Sequence, residues 1–383
     1  MKNNILLSCL LSFSIALITS CNSCNTILPQ TELLTPVIAD RCYLSDIAID
    51  GTHAMASIYC FKEDSLFCEI QCFELKGNSW QKIQTIARNC DSIFYPLHLA
   101  IDGNYAVVGH PSDCNYRSKA EVYVFRPDQW EHMQDLYPDD TAEMCYRGYG
   151  KDVDVYGDYA IVTNGPDANG KNGTYCAYIF KQSAFKWTQV AKIKNFSMME
   201  DFEARLGNNI CVFRTRSPKE QGDLILNNRI HVYVANSDGD WQETDLLEPK
   251  QGDTAAHYYA SDFDFSTDYM VVSSHNKNIT NATYKLYFYR LIKGKKFVLN
   301  TMVSNSGFSV ASSDKFAINT VDGNFQTYYY KNGGYAKGNL YIRNPKVGIQ
   351  RLAASNDYIM YAGSKVPYSS TSDSVYVCFQ KVK

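Results

Sequence analysis

The chain has 383 residues, a net charge of -3 and 14% aromatic residues, with tyrosine the commonest ring. Acids and bases are interspersed and form no basic stripe, so a nucleic-acid partner is not expected. Helical periodicity is almost absent beyond the first twenty residues, which excludes a helical bundle and points to half-buried sheet, where Tyr packs its ring and keeps its hydroxyl wet.

Lys2 precedes a mostly apolar run over residues 5–19. The run is shorter than the roughly 20 residues of a membrane span and reads as an export signal. The expected organisation is a signal over residues 1–20, a polar tether over 21–30 and one β-domain over 31–383.

The domain is written as a repeat. In its clearest copy, Leu97, Leu99 and Ile101 alternate and then meet an Asp102-Gly103-Asn104 turn. The apolar run Tyr105-Ala106-Val107-Val108 follows, then a polar loop, a second run from Val122 to Phe125, and a last segment starting at Trp130. Alternation at period two bounded by Gly, Asp and Asn is the mark of strands and hairpins. The turn recurs at Thr52, Asn104, Asp158, Asn208, Asp268, Asp314 and Asp357. An aromatic opens the fourth segment at Trp80, Trp130, Trp187, Trp241 and Phe297. One ring per unit at one position is core spacing, and each is expected to cover its sheet edge and pack on the next unit. Seven units of four strands predict an all-β, seven-bladed β-propeller. The last unit ends after its third strand. Thr31-Glu32-Leu33-Leu34-Thr35-Pro36 is similar to Thr244-Asp245-Leu246-Leu247-Glu248-Pro249, the end of the fourth unit. The segment after the signal is therefore expected to complete the last blade and remove an exposed edge.

Strands within a blade run antiparallel, so the loops between second and third strands share one face with the links between blades. These are the long loops, and binding residues concentrate on such loops. Tyr116, Arg117, Arg214, Arg216, His275 and Tyr368 are the candidate partner-binding residues, a mixture of rings and Arg that suits a protein or glycan partner. Glycosidase chemistry needs two facing carboxylates, and Asp46, Asp152, Asp154, Asp262 and Asp264 fall in inner strands beside the expected channel. No nucleophile elbow, phosphate loop or paired-His motif is present, and no catalytic residue is assigned. Cys72, Cys176, Cys211 and Cys378 read as small buried hydrophobes. Among the loop cysteines, Cys60 with Cys68 and Cys42 with Cys90 are the pairings suggested by position, although pairing is not fixed by sequence.

Three resemblances add to this. Ile18-Thr19-Ser20-Cys21 resembles a bacterial lipobox, which implies acylation at Cys21; Asn22 after it implies delivery to the outer membrane. Tyr149-Gly150-Lys151-Asp152-Val153 with Gly157-Asp158-Tyr159-Ala160-Ile161-Val162, and the Gly109-His110-Pro111 and Asn164-Gly165-Pro166 segments, resemble the FG-GAP repeats of integrin-α-like propellers in bacterial secreted proteins. That family binds calcium in the loop after the second strand. Asp167, Asn169 and Asn172 occupy the matching loop, but with one carboxylate and Lys171 the loop reads first as a Gly/Asn turn, so no metal or other cofactor is expected. Asp64-Ser65-Leu66 and four similar triplets resemble the O-glycosylation motif of Bacteroidota. The resulting expectation is a monomeric, lipid-anchored, exported propeller at the outer membrane or cell surface, a binding or scaffold module that touches the membrane only through its lipid. The alternative is a surface glycosidase or lyase with carboxylates in the channel.

Overall fold

The computed structural model describes residues 29–34, 41–63, 65–89, 96–111, 118–139, 148–164, 174–197, 202–215, 228–248, 258–275, 284–294, 296–304, 307, 309–331, 334–344, 347–364 and 374–382. They form seven four-stranded antiparallel sheets, with no helix among them. Each sheet is a blade: residues 41–89, 98–136, 153–197, 202–247, 258–304, 310–341 and 351–381 make blades 1 to 7 in chain order. The first strand of each blade touches the first strand of the next, and blade 7 touches blade 1, which closes a ring around a channel.

Blade 7 takes its outer strand from the other end of the chain. Gln30–Leu33 pairs antiparallel with Val375–Lys381, with Gln30 opposite Phe379 and Leu33 opposite Tyr376. The strand begins one residue before the expected segment, and Thr35 and Pro36 lie outside the described residues. Leu34 follows it into the core between blades 7 and 1, fully buried, and the Gln71 side chain donates to its carbonyl at 2.6 Å.

The second strands explain why the apolar runs are continuous rather than alternating. Ala54, Met55 and Ala56 in blade 1, and Ala106, Val107 and Val108 in blade 2, are fully buried. A blade inside the ring is covered on both faces, so both sets of side chains must be apolar. The fourth-strand rings occupy their expected positions, but they pack backwards. Trp130 meets His53 of blade 1, Trp187 meets Tyr105 of blade 2, and Trp241 meets Tyr159 of blade 3. Trp80 stacks on Phe379 of blade 7 with centroids 4.6 Å apart. The partner in most cases is the residue that opens the second strand of the preceding blade. The expectation of packing on the following blade is thus corrected: a right-handed twist swings each outer edge back over its predecessor.

Tyr149-Gly150 and Gly109 meet across the seam between blades 2 and 3. Gly150 has φ of +86°, and a Cβ there would lie 2.7 Å from the amide nitrogen of His110 and from the carbonyl of Lys119. A Cβ on Gly109 would lie 2.2 Å from the carbonyl of Gly150. Only glycine fits either position.

The cysteine pairing differs from both expectations. Cys42 is bonded to Cys60 within blade 1, where the two face each other across the first and second strands. Register forbids the Cys60–Cys68 bridge. Cys60 lies opposite Phe67, and Cys68 lies opposite Tyr59, so Cys60 and Cys68 point to opposite faces of the sheet. Cys68 is itself in a disulfide. Cys72, Cys176, Cys211 and Cys378 are buried as expected, and burial pushes the Cys72 thiol up to about 12.

Candidate functional site

The channel encloses about 550 Å³ and is lined by the first strands of the blades. In each blade the residues four, two and zero places before the tight turn face the next blade at the channel wall. The first level, at the long-loop end, holds Asp46, His98, Asp152, Glu203, Asp262, Ser309 and Arg351. The middle level carries alanine at Ala48, Ala100 and Ala353 and charge at Asp154, Arg205 and Asp264. The level at the tight turns includes Asp50, Asp102, Tyr156, Ser266, Ser313 and Ser355.

The acids are blade-to-blade staples. One oxygen of Asp46 accepts from the amide of Leu99 at 2.9 Å, and Asp50 accepts from Gly103 at 2.8 Å. Asp102 reaches Gly157, Asp152 reaches Ala204 and Asp154 reaches Leu206, at 2.6, 2.7 and 2.6 Å. Asp262 and Asp264 hold Val310 and Ser312 of blade 6 at 2.9 and 2.6 Å. In Asp46, Asp154, Asp262 and Asp264 the other oxygen accepts from the residue's own following amide. A second local device fixes three of them. Ser57, Thr163 and Ser273 stand opposite Asp46, Asp152 and Asp262, and each hydroxyl accepts from the aspartate's amide at 3.0 Å. Backbone N–H groups on inner edges have no further strand to pair with, so a side-chain acceptor from the neighbour satisfies them.

Arg205 is the centre of the charge cluster. It lies 3.3 Å from Asp152 and 3.5 Å from Asp264, bridging blades 3 and 5 from blade 4, with its guanidinium over Phe263. Its own cost of burial is outweighed by Asp152, Asp264 and Asp154, which raise its pKa. Burial pushes Asp152, Asp154 and Asp262 up to about 7, and it raises Asp264 in the same sense. Glu203 adds to the rise at Asp152 and Asp262 as a like charge, while Arg205 opposes it. Arg351 sits 3.7 Å from Asp46 and donates to the Ser45 carbonyl, closing the seam between blades 7 and 1. His98, 3.9 Å from Asp46, is held below its ordinary pKa by burial and so favours the neutral form.

Arg214, expected on a partner-binding loop, belongs instead to the joint between blades 4 and 5. It lies in the strand Ile210–Thr215, buried, paired with Glu203, and it donates to the carbonyls of Ala260 and Ser261 at 3.1 and 2.6 Å. It carries the joint between blades 4 and 5 that an aspartate carries elsewhere. His275 ends the strand Tyr269–His275, half-buried beside Tyr284, and burial lowers its pKa. Tyr116, Arg117, Arg216 and Tyr368, the loop residues Asp167, Asn169 and Asn172, and Cys21 lie outside the described residues. The sequence reading found five channel acids and missed Arg205, Arg351, Asp50 and Asp102. Alignment by distance from the tight turn would have found them, because Arg205 falls in register with Asp154 and Asp264.

Outside the channel, Glu121, His132 and Asp135 bring three ligand atoms within 4.8 Å of one another in blade 2. The Lys119 ammonium already occupies that cluster, 2.8 Å from Glu121 and 3.0 Å from Asp135.

No protein-family model matches the chain, and no curated protein is similar to it in sequence. Solved structures do share its fold. The β-propeller domain of the Trilobed protease from Pyrococcus furiosus superposes with a TM-score of 0.51 at 10% identity, over 90% of this chain and 96% of that one. A hypothetical selenium-binding protein from Sulfolobus tokodaii gives a TM-score of 0.50 at 10% identity, over 91% of each chain. Likeness at this identity concerns the fold alone. It defines the class: this is a seven-bladed β-propeller. The Pyrococcus domain is described as having an open velcro topology, whereas here Gln30–Leu33 closes the ring.

Proposed function

We propose that the chain is a lipid-anchored, exported propeller acting as a non-catalytic binding or scaffold module at the outer membrane or cell surface, with a protein or glycan docking on the long-loop face. One observation carries this reading over an enzymatic one. Asp46, Asp152, Asp154, Asp262 and Asp264 each spend an oxygen on an amide of the neighbouring blade. Carboxylates used as staples are poor candidates for a nucleophile or base, because freeing one opens a seam. A rigid ring with its acids so engaged serves best as a platform for loops. The lipobox resemblance at Cys21 supports the anchor, and Cys21→Ala is expected to release the protein from the membrane fraction and abolish labelling by a palmitate analogue. Affinity capture from native envelopes tests the face. Shortening residues 112–117 and 365–373 is expected to remove the partners; equal recovery with and without these loops would reject the assignment.

A glycan-active enzyme is kept as a second reading because Asp152, Asp154 and Asp262 have carboxyl pKa values near 7, which a general acid needs. Sugar release from envelope polysaccharide that disappears in Asp262→Asn would favour it.

A further inference from the structure

We propose that the tight-turn face is the side of the ring that meets the membrane, and that it touches the lipid bilayer through the Phe185 hairpin tip of blade 3, a second contact beside the acyl chain. The inference rests on the anchor at Cys21 proposed above and says where that anchor holds the ring.

The point where the chain enters the ring sets the orientation. Each tight turn shares an end of its blade with the hairpin between third and fourth strands. Backbone bonds tie the two together: Leu75 donates to Thr52, Phe125 to Asn104, Gln182 to Asp158 and Leu291 to Asp268. Gln30 lies at that end. It stands opposite Phe379, close to Val382, which donates to Asp357 at the blade 7 turn. Its side chain is bonded to the Trp80 backbone, just past the Gly77-Asn78 hairpin of blade 1. From there the strand runs toward the long-loop end. Cys21 is nine residues before Gln30, a reach of at most about 30 Å. Beside Gln30, the blade 1 strand Ser65–Lys76 has 12 residues and spans roughly 40 Å from one face to the other. Laying the long-loop face on the bilayer would need a tether about as long as that strand. The anchor therefore holds the tight-turn face to the lipid and leaves the long loops pointing outward.

The chemistry of that face points the same way. Phe185 is 79% exposed, more than any other large hydrophobic among the described residues. Ser183 pairs with Lys186, which leaves Ala184-Phe185 as a two-residue loop. Both have positive φ, +48° and +64°, a backbone that favours Asn-Gly. The equivalent loops of blades 1 and 2 are Gly77-Asn78 and Pro127-Asp128. A ring held at a strained tip, out in solvent, does nothing for the core, and strain of this kind collects at functional positions. Residues 174–197 carry Lys181, Lys186, Lys192 and Lys194 and no acid. An aromatic tip flanked by lysines matches the bilayer interface, where the ring enters the headgroup layer and the ammonium groups stay at its surface. Blade 5 offers a weaker copy at the same end, with Ile292 38% exposed beside Lys293 and Lys296. The blade 4 tip between them carries Asp238 and Asp240, so the contact is made at separate tips rather than across a flat basic face.

The test uses the full exported chain with its lipid, reconstituted into vesicles of phosphatidylethanolamine and phosphatidylglycerol with and without brominated phosphatidylcholine. The emission gained in Phe185→Trp is expected to be quenched by the brominated lipid. The emission gained in Ser304→Trp, at the long-loop end of blade 5, is expected to be untouched. Hydrogen exchange over residues 181–187 is expected to slow on vesicles, and Phe185→Gly is expected to lose that protection. Its unfolding midpoint is expected to stay the same or rise, because the ring is exposed and the turn relaxes. Labelling of Cys21 by a palmitate analogue separates the two readings. Without labelling, the anchor falls and this inference falls with it. With labelling, the inference alone is overturned by no quenching in Phe185→Trp, or by equal or greater quenching in Ser304→Trp. Protection of residues 181–187 by solubilised envelope protein but not by vesicles would assign the tip to a protein partner and overturn it equally.

Discussion

The two arcs of the ring are joined by different chemistry. From blade 7 through blade 3 the outer rims are clasped by neutral amides. Gln30 donates to the Trp80 carbonyl and accepts from its amide, at 2.5 and 2.8 Å. Gln84 does the same to Trp130, and Gln134 to Trp187. In this arc Trp80, Trp130 and Trp187 are about 2% exposed or less. From blade 3 through blade 6 no such clasp occurs among the described residues. Trp241 is half-buried, and Val298, Met302, Leu340 and Ile342 are 47–55% exposed on outer strands or just beyond. Here the joint moves inward to the ions around Arg205 and the Arg214–Glu203 pair. One topology thus tolerates a rim held by hydrogen bonds or a hub held by charge, and the two arcs should answer differently to the same insult.

The largest effect is expected from removing the seam itself. Deleting Gln30–Leu33 leaves the edge of Val375–Lys381 unpaired, pulls Leu34 from the core and removes the first Gln clasp. The expected loss is roughly 5 kcal/mol or more, seen as loss of a single cooperative transition in calorimetry. A midpoint within a few degrees of the parent would show that the clasped arc does not depend on closure.

Next come the rim tryptophans. Trp130→Ala empties a fully enclosed site against His53 and Phe125 and is expected to cost about 3–5 kcal/mol. Trp241→Ala, half-buried against Tyr159, is expected to cost about 1–3 kcal/mol. Equal costs in urea titrations would erase the distinction between the arcs.

Acidity should separate them more cleanly. Asp152, Asp154 and Asp262 bind protons in the folded state up to about pH 7, whereas the unfolded chain releases them near pH 4. Between those values the folded state holds more protons, so stability in this window falls as pH rises and is greatest on the acid side. Asp135 and Asp314, held below the usual carboxylate range, contribute the opposite slope only at lower pH, and His53, His98 and His275, lowered by burial, offset part of the effect below about pH 6.5. The midpoint is expected to be a few degrees higher at pH 5.5 than at pH 8. Hydrogen exchange should localise the loosening to blades 3–5, and Asp262→Asn should flatten the profile. Uniform loosening around the ring would break the comparison.

Blade number, the closing strand and the ring positions were legible because they rest on local repetition: the turn before Tyr105 and the aromatic at Trp130 are short-range signals that survive divergence. The disulfide was not, since its partner depends on a one-residue register between strands. Arg214 was misplaced because the strand Ile210–Thr215 continues past its apolar run, and a charged residue at a run's end reads as loop. The staples were invisible for a deeper reason. Asp154 is bonded to Leu206, 52 residues away, and nothing in either segment alone names the other.

The smallest predicted effect is the sharpest test of the rim. Gln84→Ala removes the amide that both donates to and accepts from the Trp130 backbone. Trp130 opens an outer strand, so water can reach part of what is lost, and the expected cost is about 1 kcal/mol, up to about 2 if the Trp130 amide stays dry. The blade 3 residue at the same distance after its tryptophan is Ala191, which has no amide to lose. Ala191→Gln should therefore either build a fourth clasp onto Trp241 and gain a few tenths of a kcal/mol, or sit in water and change nothing. Trp241 is half-buried where Trp80, Trp130 and Trp187 are enclosed, so water competes for its backbone and no gain is expected. Stabilisation by Ala191→Gln equal to the loss in Gln84→Ala would mean that the arcs differ in one side chain rather than in geometry.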